Sequence, residues 1–236
     1  MSHVSIGSQM LSCVKCVHPG LASLWEFHQA ADPSRIATRH DGCGAAIRVA
    51  PVGIFYASNR RDDLVNGARE ASISTHGGSV AIAAAAAVAA GVSAAIDGVP
   101  PRRVLDLAER AGVEAVNRWP GPAASGFATS IHTVHDHLAG LPALRPADVA
   151  ARCFPDQPMT IVPMALGLAT VLRSAEDAIL LAANVGGDSD SVASIAGGIL
   201  GAMYPQTVNQ HWWDVVENIN GHDLVAIADA LGRLRQ

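Results

Sequence analysis

Apolar positions along this chain recur at helical spacing, and no stretch shows the strict alternation of a half-buried strand. The first clear run predicts a helix through Leu64, Ala68 and Ala71 to Ile73, with Asp62 or Asp63 as its cap and Thr75-His76-Gly77-Gly78 near its end. Ser79 opens a helix to about Ile96 that is apolar on every side, which places it inside the fold. Pro100-Pro101 separates it from an amphipathic helix over Val104 to Val116, with Leu105, Ala108, Ala111 and Ala115 on one face. Trp119 to Gly126 reads as a loop, and the proline-rich Leu141 to Pro158 as a surface crossing without long regular structure. Thr160 to Leu172 is helical, with Pro163 expected in its first turn. Ser174 caps the next helix, with Asp177 three residues on. The run from Val192 ends near Tyr204-Pro205, and two amphipathic helices, Val208 to Ile219 and Asp223 to Leu234, are expected to close the bundle. Val80–Ile96 and Val192–Met203 are expected among the most buried segments. Gly7 to Leu24 has room for one helix, interrupted at Pro19-Gly20. No repeat shows at a fixed period. The pattern gives an all-α protein, an orthogonal multi-helix bundle forming one domain over residues 1–236.

Composition sharpens this picture. Half of the 236 residues are hydrophobic but only 4 % are aromatic, so the core is built from Ala, Val, Ile and Leu, which suits closely packed helices. A net charge of −5 without a basic block argues against a nucleic-acid surface. Four scattered cysteines do not make a disulfide framework in a chain of this length. No leader peptide is evident, and the mostly alanine run Val80 to Ile96 falls short of a membrane span. A cytoplasmic location follows as the expectation, with no membrane partner.

Two clusters carry less chemistry than they suggest. Cys13, Cys16 and His18 miss the haem-attachment pattern because Val17 intervenes, and no second pair completes a zinc site, so buried inert thiols are expected. His132, His135 and His137 lack the metalloprotease Glu between them and read as a solvated face.

Two other stretches carry more. In Asn184-Val185-Gly186-Gly187-Asp188-Ser189-Asp190-Ser191, Asp188, Asp190 and Ser191 offer hard oxygen ligands of the kind Mg²⁺ or Mn²⁺ takes. Gly186 and Gly187 let the backbone turn sharply beside a ligand, and the helix behind them directs its dipole at an anion. Gly197, Gly198 and Gly201 leave room for another element against that helix. The same pattern also describes an Asp/Ser cap after a Gly turn. In Asp41-Gly42-Cys43-Gly44, Gly42, Cys43 and Gly44 form a loop whose N–H groups suit a phosphate or ribose, or simply a tight turn before a buried segment.

Ala182 to Tyr204, ending in Gly201-Ala202-Met203-Tyr204, resembles the C-terminal metal motif of the ADP-ribosylglycohydrolase family. Gly42 to Gly53 is similar to that family's Gly-Asn-Gly-x-Ala-Met-Arg-x-x-Pro-x-Gly segment, with Cys43 where the family has Asn. His76 follows the family's Thr-His pair at the substrate cleft, and Thr160 to Leu166 resembles a further family segment. The resemblance covers roughly residues 41–235, with a fainter echo at Ile6-Gly7. It implies an all-α fold and a metal-dependent hydrolase of an N- or O-glycosidic bond to ribose, releasing ADP-ribose from an ADP-ribosylated protein or a small ADP-riboside. It also implies Asp188, Asp190 and Ser191 at Mg²⁺ or Mn²⁺, and Gly42, Cys43, Gly44, His76, Gly186 and Gly187 at the substrate.

The family's other metal motif, Asp-Asp-Thr, does not occur in this sequence. The chain therefore looks like an N-terminally shortened family domain that holds at most one ion. Its acid/base residue is not assignable, and apolar surface left bare could be covered by a second copy in a homo-oligomer. The alternative is a non-catalytic relative, a ribosyl-nucleotide binding or structural module.

Overall fold

The computed structural model describes residues 41–121 and 124–235. The helix expected over Gly7 to Leu24 and the thiols Cys13 and Cys16 lie outside the described residues. Within them the chain runs through α1 (Gly44–Arg48), α2 (Ala50–Phe55), α3 (Arg61–Ile73) and α4 (Ser79–Ile96). It continues through α5 (Pro101–Arg118), α6 (Phe127–Gly140), α7 (Pro146–Cys153) and α8 (Pro158–Val171). It ends with α9 (Ala175–Ala183), α10 (Ser189–Met203), a 3₁₀ turn Pro205–Thr207, α11 (Gln210–Asn220) and α12 (Leu224–Arg233). The described residues contain no strand, as the periodicity requires.

The hub is α4. Every residue from Val80 to Ala95 is buried. Alanine carries little side-chain bulk, so several backbones can approach it at once: α1, α2, α3 and α5 pack on it, and so do α8 and α10. A Cβ on Gly53 of α2 would lie 2.5 Å from the carbonyl oxygen of Ala89, a distance no real side chain keeps. Its glycine is the condition for that close crossing. Among the described residues α4 is the one helix long and apolar enough to cross a membrane, and 89 % of it is buried inside this protein.

The second layer is α6, α8, α9 and α10, with α8 packed on α6 and α10 packed on α9. After α4, α8 is the helix most fully enclosed, with eleven buried residues, whereas α10 buries only one face: Ser191, Val192, Ile195, Ala196, Ile199 and Leu200. Gly197 lies against Ile179, but Gly198 faces open space.

Other boundaries also moved. Arg60, not Asp62 or Asp63, occupies the N-cap of α3, and both aspartates sit in its first turn. Pro163 lies in the interior of α8, because Pro158 takes the first position. Pro146–Cys153, expected to be irregular, forms α7, opened by its own N1 proline. Ser174 caps α9 as expected, its Oγ accepting from the amide of Asp177 at 3.1 Å. The amphipathic helices α11 and α12 form but bury no residue, so they lie against the bundle without closing it.

The histidine cluster on α6 is not a wholly solvated face. His135 is buried, with Nδ1 2.9 Å from Thr170 Oγ1, and burial followed by the Arg102 charge lowers its pKa. His132 Nε2 pairs with Glu109 at 2.7 Å. These partners explain His132 and His135 structurally.

Candidate metal and substrate site

The turn before α10 is shaped by its glycines. Gly186 and Gly187 have φ of +89° and +62°, the left-handed region that glycine enters without strain. Phe154 and Pro155 lie under that turn: a Cβ on Gly187 would come within 2.2 Å of the Pro155 carbonyl oxygen. That same oxygen accepts a 2.7 Å hydrogen bond from the amide of Asp188. The bond holds Asp188 at the N-cap of α10.

Asp188 does not use its carboxylate as a cap. It makes no side-chain capping bond to α10. Instead Oδ1 accepts from Ser191 Oγ at 2.8 Å, and Oδ2 accepts from Cys43 Sγ at 2.9 Å. Cys43 Sγ is also 3.3 Å from Ser191 Oγ, so the three side chains cluster around Asp188 as the common acceptor. It joins the Gly42–Gly44 loop to the start of α10 across 145 residues of sequence.

Charge and burial act together here. Burial by itself would raise the Asp188 pKa, but the thiol of Cys43, the adjoining Asp190 side chain and Ser191 outweigh it and hold the carboxyl below its ordinary value. Burial, then the hydrogen bond to Asp188, pushes the Cys43 thiol up to about 11. Near neutral pH the site therefore holds a carboxylate beside an intact thiol.

His76 sits against the same loop from the other side. A Cβ on Gly44 would lie 2.6 Å from His76 Cε1, so the imidazole packs directly on the Gly44 backbone. His76 is buried, and its Nδ1 is 2.7 Å from Thr75 Oγ1. Arg48 also hydrogen-bonds to Thr75 Oγ1, and it donates to the Ala71 carbonyl at 3.0 Å, tying α1 to the end of α3. Asp41 fixes the loop's other end: its Oδ1 accepts from the amides of Val80 at 2.9 Å and Ala81 at 3.2 Å at the start of α4.

Of the residues expected at the site, Cys43, Asp188 and Ser191 bond to one another, and Gly44 and His76 are in contact beside them. Gly42 lies between Asp41 and Cys43 in the same loop, and Gly186 and Gly187 form the turn leading into Asp188. Asp190 is exposed, two residues into the sequence beyond Asp188. Asp41, Arg48, Phe154 and Pro155 support the site without being expected to. Pro155 lies in the stretch expected to be irregular, and no local pattern marks its carbonyl as a partner for Asp188.

No three His, Cys, Asp or Glu side chains among the described residues are grouped as a ready-made metal cage. The oxygen donors of Asp188 and Ser191, with Asp190 nearby, are of the kind that hold Mg²⁺ together with waters. A shallow hollow lined by Arg61, Glu109, Arg110 and Glu114 shares no residue with this cluster, and its Arg61 is paired with Glu114.

A bundle packed around an alanine-rich helix, with one carboxylate joining the start of its own helix to a glycine loop, defines the helical scaffold of this chain. The ADP-ribosylglycohydrolase family model matches residues 4–236, and the chain belongs to that family. The match starts well before residue 41, so more of the N-terminal part belongs to the family domain than the motifs alone indicate. An uncharacterised protein of Archaeoglobus fulgidus is 32 % identical over 174 residues, covering 72 % of this chain and 52 % of that protein. The uncharacterised Escherichia coli protein YegU is 25 % identical over 199 residues, covering 82 % of this chain and 59 % of its own. The chain thus spans somewhat over half the length of these curated relatives. A solved structure of an ADP-ribosylglycohydrolase-related protein complex superposes with a TM-score of 0.62 over 90 % of this chain and 67 % of that one; at 24 % identity the likeness concerns the fold.

Proposed function

We propose that this chain is a metal-dependent glycohydrolase that cleaves an N- or O-glycosidic bond to ribose and releases ADP-ribose from an ADP-ribosylated protein or a small ADP-riboside. The observation that supports this is the Asp188 carboxylate, which accepts from Ser191 on its own helix and from Cys43 on the Gly42–Gly44 loop and so brings the two motifs together. Asp188, Ser191 and Asp190 would hold one divalent ion, Mg²⁺ or Mn²⁺ by the chemistry of their oxygens. Such an ion, when bound, supplies charge that orients ribose hydroxyls and acidifies a water.

The chain's own groups do the rest. The start of α10, free of a side-chain cap, and the backbone of the Gly42–Gly44 loop present N–H donors to the ribose-phosphate. His76, held by Thr75 and packed on Gly44, keeps that loop in place and borders the cleft. Gly186 and Gly187 bring backbone rather than side chains to the substrate. In the hydrolysis, the water oxygen bonds to the anomeric carbon, the glycosidic bond breaks, and the departing nitrogen or oxygen takes a proton.

One observation favours a second reading, a non-catalytic ribosyl-nucleotide binding module: among the described residues no preformed cage of three acidic, thiol or imidazole ligands exists. The deciding experiment assays ADP-ribose release with and without Mg²⁺ for the native chain and for Asp190→Asn, beside thermal melts. Release that depends on the cation and is lost in a folded Asp190→Asn variant supports the enzyme. Undiminished release by that variant overturns the metal role. Nucleotide binding without release from any ribosylated substrate supports the binding module.

A further inference from the structure

We propose that Arg48 is a positioning residue: acting through Thr75, it holds the neutral His76 ring as the tautomer with its proton on Nε2, a hydrogen-bond donor beside the Gly42–Gly44 loop. The tautomer requires no assumption about the reaction. That the donor meets substrate rests on the glycohydrolase reading, and it makes His76 a binding group there and not a general base.

Donors and acceptors decide the tautomer. Arg48 stands at the C-terminal end of α1 and reaches the last turn of α3. Its guanidinium donates to the carbonyls of Ala71 at 3.0 Å and Ser72 at 3.3 Å, where the helix end favours a positive charge. The same Nη2 donates to Thr75 Oγ1. A guanidinium nitrogen only donates, so the Thr75 oxygen accepts in that bond. The hydroxyl still has one proton to place. Its other polar neighbour among the described residues is His76 Nδ1 at 2.7 Å. Thr75 and His76 are both buried, so the proton goes to Nδ1 and not to bulk water.

Nδ1 is then the acceptor, and the single N–H of the neutral ring sits on Nε2. The reverse tautomer, with Nδ1–H donating to Thr75, would leave a buried hydroxyl proton without an acceptor, a costly state. Nε2 lies on the ring edge turned to the loop: a Cβ on Gly44 would come 2.9 Å from it. An N–H there suits an acceptor oxygen of a ribose or phosphate. Neither nitrogen is left to act as a base, because Nε2 carries the proton and the Nδ1 lone pair is engaged by Thr75.

The test is nuclear magnetic resonance on the full chain labelled with ¹⁵N at histidine, well above pH ~6.5, where an ordinary imidazole is neutral. Long-range ¹H–¹⁵N correlations tell a protonated ring nitrogen from an unprotonated one, and His76→Gln identifies the His76 signals by their loss. The expected spectrum has an unprotonated Nδ1 and a protonated Nε2, and Thr75→Ser should keep it. Thr75→Val removes the hydroxyl, and Arg48→Met vacates the Ser72 carbonyl for it, so that Oγ1 can accept from Nδ1–H. Each should raise the population of the other tautomer, with melts showing both variants folded. A native proton on Nδ1, or a pattern unchanged in both variants, overturns the proposal. Calorimetry with ADP-ribose tests the donor's role. Binding weakened roughly 2–10-fold by Thr75→Val and restored in Thr75→Ser supports it, and binding unchanged by Thr75→Val overturns it. The expected tautomer in a native chain that binds no ADP-ribose upholds the Arg48–Thr75–His76 relay and overturns the glycohydrolase reading.

Discussion

Two aspartates stand at the starts of two core helices and use their carboxylates in opposite ways. Asp41, which lies 39 residues before α4's first capped amide, reaches in to accept from Val80 and Ala81. It satisfies amides that Gly78, at the N-cap position, has no side chain to reach. Asp188 occupies the N-cap of α10 itself and leaves that helix uncapped, its oxygens taken by Cys43 and Ser191. The first arrangement stabilises the fold. The second turns its oxygens to Cys43 and Ser191 and so ties the Gly42–Gly44 loop to the start of α10.

Substitutions can break this comparison. The largest expected effect belongs to Asp188→Asn: cation binding and ADP-ribose release should fall below detection, while the melting temperature changes little. Calorimetry, the release assay and a melt on one preparation check it, and a large stability loss with retained cation binding would put Asp188 in the structural class instead.

Gly187→Ala comes next. A methyl group there meets the Pro155 carbonyl at 2.2 Å in a backbone of φ +62°, so the turn must shift. A loss of about 1–3 kcal/mol is expected from the strained backbone alone, with impaired cation binding because Asp188 hangs from the same carbonyl. Chemical denaturation would register the first effect and calorimetry the second.

Asp41→Ala sharpens the contrast from the other side. It should cost about 1–2 kcal/mol, or a few degrees in the melt, as removal of a capping carboxylate does. Cation affinity should fall less than in Asp188→Asn, since Asp41 fixes the loop's end without itself bonding to Asp188 or Ser191.

The smallest effect is alkaline. The folded Cys43 thiol is raised to about 11 by burial and by Asp188, against 9.0 unperturbed. Folding favours its protonated form, so its contribution is complete below pH 9 and is lost as pH rises from about 9 through 11. Metal-free protein melted across that range should decline less steeply as the Cys43→Ser variant, with Cys153 supplying part of what remains because burial raises its thiol as well.

Local information in the sequence went far. The limits of α4, the Ser174 cap and the sharp Gly186-Gly187 turn each depend on residues a few positions apart, where periodicity and capping rules operate. The Gly42–Gly44 loop and the Asp188 turn were readable as two separate motifs, and His76 was marked out only through resemblance. Their joining was not legible. The Cys43–Asp188 bond spans 145 residues and the Asp41 cap spans 39, and no local rule records which distant amide a carboxylate will choose. The amphipathicity of α11 and α12 was readable, but burial needs a partner surface, and that depends on the rest of the fold. The interior position of Pro163 followed from Pro158 starting the helix earlier than the apolar run suggested.

The end of the described chain has a consequence for motion. Arg235 donates to the carbonyls of Gly53 at 2.8 Å and Ile54 at 2.6 Å, and to Ser93 Oγ at 3.0 Å and Asp97 Oδ1 at 2.7 Å. It fastens a pair of helices that otherwise bury no residue. Their amides should exchange with deuterium through small local openings, whereas those of α4 should exchange only when the whole domain unfolds.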